Sequence, residues 1–342
     1  MPYKRREIIL HNPATRLQIA LDGGAITDFH LTSDNINPLT FRFSKDQMPV
    51  RNKNGAAYQG HFLCLGRWGE PSPGEKAAGL PDHGQFANQE WQSDDSTSLY
   101  VHMSAGSKLE GLSVDRKITL DPEQSIYVCT ETVHNPTPLG KVYNMVQHPT
   151  IAAPFLNEQT RVYCNAERGF HFLHHKEIEQ FSSTWPMARM DILSETDMRS
   201  SLPSVTSVHS YVVDESDEWG WILAWSPVSK LLLGYIWKRS EYPWINLWRD
   251  YHEGAIRYRG LEFGTSGVHQ PFSEIMTTGC FEVFGQKTFD YIDAGEFKTR
   301  KYWSFLVRPS FEILDEITLN IEGRQLTIIS GNEKISILLP WT

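Results

Sequence analysis

Apolar and polar residues alternate along much of this chain, and a period of two predicts β-strands. The first alternating segments, 6–10, 17–21 and 25–31, are short and separated by turn signals such as Gly23-Gly24, which reads as an opening meander. Alternation returns at 99–103, 113–120 and 125–133, with Asp121-Pro122 marking the turn between the last two. It recurs at 207–213, 220–226, 231–237, 281–284 and 301–307. Three further segments, 317–321, 325–329 and 334–339, form a closing meander. Segments of this kind with one covered face argue for antiparallel sheets. Helical periodicity is poor throughout, with 176–181 alone suited to a short turn. Two long stretches interrupt the strands: 35–57 is polar and irregular, and 68–88 is dense in Gly and Pro. Long loops inside a compact domain tend to carry function. The expected fold is all-β, a large antiparallel β-sandwich with few short helices, built as a single domain over 1–342.

Composition narrows the partners. The chain has 342 residues, and 41 acidic residues against 32 basic ones give a net charge of -9, with no basic run longer than Lys4-Arg5-Arg6. That charge offers no field for a phosphate backbone, so no nucleic-acid partner is expected. The longest apolar run, 231–237, is far short of the ~20 residues that cross a bilayer, so no membrane partner is expected. The N-terminal stretch lacks the apolar core of a signal peptide, and a cytoplasmic location follows as the expectation. Cys64, Cys129, Cys164 and Cys280 are widely spaced with no short clip, which predicts free, mostly buried thiols. Aromatic residues are abundant (Trp 11, Tyr 13, Phe 17), and flat rings suit sugar faces as well as sandwich cores.

The centre of the candidate chemistry is 256–266. In a strand, Leu261 and Phe263 anchor one face while Glu262 projects from the other, with Gly260 and Gly264 leaving room for a ligand. A desolvated carboxylate there has a raised pKa and can act as a base; the alternative is an ion pair with Arg257 or Arg259. Four other stretches frame a polar residue with Gly, Pro or aromatics. Arg67 in Gly-Arg-Trp can fork onto adjacent hydroxyls or pair with Glu70. His83 sits on a turn in 81–91, a stretch that ends at Trp91. His148 ends an apolar strand whose ladder Pro149 stops. Trp244, Asn246 and Trp248 alternate in 242–250 and share one face, suited to a sugar or to a core.

Other templates are missing: there is no phosphate-binding loop, no dinucleotide fingerprint, no serine-nucleophile elbow and no H-E-x-x-H. His171 with His174-His175 makes a poor metal clip, because adjacent histidines on a strand face opposite ways. No cofactor and no metal are expected, although His83, His148 and Glu262 would supply three metal ligands if they converged.

The succession G-R-W, H-G-Q-F-A-N-Q-E-W, Q-H-P-T-I-A-A-P-F-L and G-L-E-F-G-T resembles the galactose mutarotase-like superfamily of aldose 1-epimerases and hexose-phosphate epimerases. Gly23-Gly24-Ala25-Ile26 resembles its opening hairpin. The resemblance implies a sugar site in an open cleft on one face of a β-sandwich. It implies His148 as catalytic acid, Glu262 as base, His83 at the ring oxygen and Arg67 as a sugar-binding arginine, with Asp250 the one candidate for the family's aspartate. The implied reaction removes the anomeric hydroxyl proton, protonates the ring oxygen, opens the ring and recloses it on the other face. Asn88 stands where hexose-phosphate epimerases usually carry arginine, which argues against a phosphorylated substrate, and Gln147 replaces the usual Asn before the histidine. The expected function is anomer interconversion of an unphosphorylated sugar or sugar derivative, with Trp91 and Trp248 among the binding residues. A non-catalytic carbohydrate-binding protein and another sugar isomerase or lyase are the alternatives.

Overall fold

The computed structural model describes residues 7–190, 194–201 and 205–340. Two large antiparallel sheets dominate it. The first runs, edge to edge, Glu7–His11, Thr15–Ala20, Ala25–Leu31, His61–Gly66, Lys141–Ala152, Ala255–Gly264, Trp244–His252, Ser207–Val213, Ala166–His171 and Ser183–Thr184, with Asp290–Ile292 also paired to Lys141–Ala152. The second runs Arg161–Cys164, Trp219–Ser226, Leu231–Lys238, Phe297–Val307, Ile126–His134, Leu112–Leu120, Tyr100–Ser107 and Gln92–Ser96.

The alternating residues explain why these sheets face each other. Leu17, Phe29, Leu63, Met145, Ile151, Ile245, Leu261 and Phe263 of the first sheet share one buried cluster with Ile118, Cys129, Ile222, Tyr235 and Trp237 of the second. Phe263 stacks on Trp237 at 4.1 Å and 5°, so the residue beside Glu262 is fixed from the opposite sheet. The closing meander, Ile317–Glu322, Gln325–Ser330 and Glu333–Leu338, buries Leu326, Ile328 and Ile337 against Trp221, Trp225 and Phe305 on the far face of the second sheet.

One polar network lies between the sheets. Arg116 and Glu131 are 2% and 0% exposed and pair at 2.6 Å. Gln147 donates to the other Glu131 oxygen, meets the His61 ring at 3.0 Å and donates to the Tyr242 hydroxyl at 3.2 Å. Removing one member of such a pair strands a buried charge. Arg116→Leu is expected to cost ~3–5 kcal/mol, read from urea unfolding.

Two expectations change. The strand holding His148 does not stop at Pro149: Lys141–Ala152 continues through it, because neighbouring strands pair with 141–152 on both sides. The missing proline N–H leaves only a local gap in the ladder between Lys141–Ala152 and Ala255–Gly264, at Leu261 and Glu262. The Gly/Pro-rich stretch also holds a helix, Pro73–Ala77, opened by a Ser72/Glu75 capping box, and Phe272–Thr278 is a second helix that periodicity did not announce. The short turn expected at 176–181 is present as Ile178–Phe181.

Candidate active site

Register places the candidate residues. Pairings Gly260↔Thr150 and Phe263↔Gln147 set Glu262 opposite His148, while His148 pairs with Phe62 and Glu262 with Asn246. Phe62, His148, Glu262 and Asn246 therefore form one row across the outer face of the first sheet, turned away from the inter-sheet core. In the next row Gly260 lies beside Trp248. A Cβ at Gly260 would come within 2.8 Å of Glu262 Oε1, so glycine there keeps the floor open.

Above this row is a cleft of about 200 Å³ lined by Phe41, Phe43, Pro49, Tyr58, Phe62, Trp68, Val208 and Trp248, with Glu262, His83, His148 and His269 as its ionisable groups. Its size, below the ~300–1,000 Å³ of usual ligand sites, suits one small ring. His148 Nε2 lies 3.3 Å from Glu262 Oε1, and the Trp68 indole N–H donates to Oε2 at 2.9 Å. His148 stacks on Phe62 at 4.3 Å, Phe62 stacks in turn on Tyr58, and the His148 Nδ1 meets the Thr150 hydroxyl at 3.0 Å. The residues expected as acid and base, His148 and Glu262, thus touch each other from adjacent strands.

Burial sets their protonation. Desolvation raises Glu262 to about 8, partly offset by the Trp68 hydrogen bond, and lowers His148 to about 3. The pair is driven towards its uncharged form. His83, held at φ 60 on its turn, accepts the Gly69 N–H on Nδ1 at 3.2 Å, so its neutral ring carries the proton on Nε2. Burial, with His148 and His269 close by, lowers His83 well below the usual histidine range, and burial lowers His269 to about 4.

Three expected site residues do not line the cleft. The Arg67 guanidinium is held by Glu75, bonds the Gly66 carbonyl and lies over the Phe272 ring at 4.3 Å, while Glu70, its expected partner, pairs with Lys76. Trp91 is 1% exposed, donates to the Phe86 carbonyl and packs under Arg116 in the core. Asp250 shares a face with Trp248 but is held by Arg257 at 2.7 Å. That leaves Glu262 without the arginine partner considered for it, because Arg259 turns to the carbonyls of 198–200. Trp244 and Asn246 are fully buried, Trp244 donating to the Lys287 carbonyl. Asn88 is buried too and bonds the carbonyls of Gly84 and Asp82.

Among the described residues, Asp94, His102 and Asp115 are the group whose ligand atoms lie close enough for a metal, and they sit on the second sheet near its edge. The hypothetical His83, His148 and Glu262 triad does not converge in that way. Cys64, Cys129 and Cys164 are buried and unbridged, and Cys280 is half-buried.

His269 and most of the aromatic wall escaped the sequence reading. Trp68 lies within the Gly-Arg-Trp motif, where the arginine carries the stronger chemical signal. Phe41, Phe43 and Pro49 come from the irregular 35–57 loop, and His269 follows the strand end at Gly264, where alternation gives no signal.

No protein-family model and no curated protein matches the sequence. Solved structures do resemble the fold. The Slr1438 protein from Synechocystis sp. PCC 6803 shares 11% identity with a TM-score of 0.64, over 90% of this chain and 98% of its own. A candidate aldose 1-epimerase from Klebsiella pneumoniae shares 14% at 0.62, over 90% and 80% of the two chains. A galactose mutarotase related enzyme from Lactobacillus acidophilus shares 11% at 0.62, over 88% and 97%. No helix among the described residues is long and apolar enough to cross a membrane. Identity this low speaks to architecture alone, and the architecture of this chain is the galactose mutarotase-like β-sandwich.

Proposed function

We propose that the protein is an aldose 1-epimerase acting on a small unphosphorylated sugar or sugar derivative. The supporting observation is the cross-strand contact of 3.3 Å between His148 Nε2 and Glu262 Oε1 at the floor of an aromatic cleft. The two oxygens on an anomeric carbon are neighbours, so an acid and a base in contact can address both at once. Burial favours the carboxylic acid with the neutral imidazole. Glu262 then gives its proton to the ring oxygen while His148 Nε2 takes the anomeric hydroxyl proton. The bond between the anomeric carbon and the ring oxygen breaks, leaving an aldehyde and an imidazolium–carboxylate pair. Rotation of the aldehyde and return of both protons close the ring on its other face. This starting assignment reverses the one implied by the resemblance, although both carry one proton on the pair and are kinetically equivalent.

The fold neighbours named as mutarotase-related or epimerase proteins support this choice of reaction. The buried Asn88 in place of an arginine favours a substrate without phosphate. Four unbridged cysteines suit a reducing compartment, and we place the activity in the cytoplasm.

The test follows anomer exchange by proton NMR from freshly dissolved α-anomers of a panel of aldoses. Acceleration should be level near neutral pH and fall as pH rises past about 8, where Glu262 loses the shared proton. Trp68→Phe removes a hydrogen bond that lowers the Glu262 pKa, so this alkaline limb should move to higher pH. A limb that moves the other way or stays in place removes Glu262 from the titration.

A further inference from the structure

The cleft walls say which sugars suit it. Away from Glu262 and His148 the surfaces are Phe41, Phe43, Pro49, Val208 and Trp248, apolar except for one indole N–H. Phe41, Phe43, Trp248 and Tyr258 meet edge to face or tilted, with centroids 4.8–6.3 Å apart, so this wall is packed in place. Several polar atoms that reach the cleft are already engaged. The Tyr58 hydroxyl donates to the Asp82 carbonyl at 2.6 Å and accepts from Asn52 at 2.5 Å. The Trp68 N–H is spent on Glu262, and His83 Nδ1 on Gly69. Among the described lining residues, His83 Nε2–H, the His269 ring and the Trp248 N–H remain to meet a ligand beside the Glu262–His148 pair. No lysine or arginine among the described residues lines the space, and Arg67 is held elsewhere by Glu75.

A hexose carries a hydroxyl on almost every carbon. Enclosed here, most of those hydroxyls would lose water and gain no partner, which is unfavourable, whereas methyl or methylene groups at the same positions would gain aromatic contact. Resting on the anomerase assignment above for its orientation, with the anomeric centre at Glu262 and His148, we propose that the natural substrate class is a sugar whose other hydroxyls are largely missing or capped. Deoxy and O-alkylated or O-acylated sugars with a free anomeric hydroxyl belong to this class.

The experiment compares D-glucose with D-glucose methylated on every hydroxyl except the anomeric one. Binding is titrated through the fluorescence of the cleft tryptophans, and anomer exchange is read by NMR in the same samples. The methylated sugar should bind at least about 100-fold more tightly than glucose, since a polar group buried without a partner is strongly penalised. Phe43→Ala, at a half-buried position outside the main core, should narrow that gap. Equal affinities, a preference for glucose, or binding of neither sugar would overturn the proposed class. Tight binding of the methylated sugar without faster exchange would sink the anomerase and leave the ligand class standing. Faster exchange of glucose with no gain for the methylated sugar would do the reverse.

Discussion

Glu262→Gln is expected to slow protein-accelerated anomer exchange about 10³-fold, inside the ~10²–10⁴ that a positioned acid or base contributes. The amide keeps the shape of the carboxyl and can still meet Trp68 and His148, but it cannot give a proton to the ring oxygen or hold a charge. His148→Ala should cost a similar factor, because each residue hands on the proton the other needs. The double variant should be little worse than either single one, as happens when groups act as a unit. Losses that instead multiply would show two independent roles. Folding should survive Glu262→Gln, since the substitution removes a buried acid raised to about 8. A circular-dichroism melt of the variant checks this.

Loss of stability in mild acid is the second large effect. His61, His148, His171 and His209 are all under 9% exposed. Burial holds His61 and His148 at about 3, His171 at about 4 and His209 well below the usual range. In the unfolded chain each titrates near ~6.5. The unfolded state therefore binds more protons below that pH, and stability falls as pH drops from about 6.5 towards 4. Each histidine contributes roughly 2 kcal/mol of this loss at pH 5, so even half the sum is a large share of a typical ~5–15 kcal/mol. Glu262 acts with the opposite sign: its raised pKa means the folded state keeps a proton the unfolded state has lost, and stability declines as pH rises towards about 8. Stability should peak near pH 6–7, and the melting midpoint should drop by about 5 °C between pH 7 and pH 5, at the ~1–2 °C per kcal/mol expected for a chain of this length. A flat profile would show that these histidines do not stay neutral on folding.

The sheets were readable because they depend on a short-range pattern. Alternation at 207–213 and 113–120 named strands that the structure holds at Ser207–Val213 and Leu112–Leu120, and the closing meander fell within a residue of its observed bounds. The same rule put Glu262 on the face opposite Leu261 and Phe263. What period two does not carry is register. Whether 262 would stand opposite 148 depends on pairing between strands more than a hundred residues apart, as does the competition for each charged group. Arg67 found Glu75 through a capped helix inside a loop, Asp250 found Arg257 across its own hairpin, and Trp91 was drawn into the core. A polar residue framed by glycine and aromatics marks a special place in the chain without saying which way it faces.

The most direct measurement starts from pure α-anomers of glucose, galactose and glucose methylated on all but its anomeric hydroxyl, and follows their equilibration by proton NMR with native protein and with Glu262→Gln. Acid–base work by Glu262 and His148 predicts faster equilibration of at least one sugar with native protein and a near-spontaneous rate with the variant. Spontaneous rates for all three, or acceleration that survives Glu262→Gln, would contradict it.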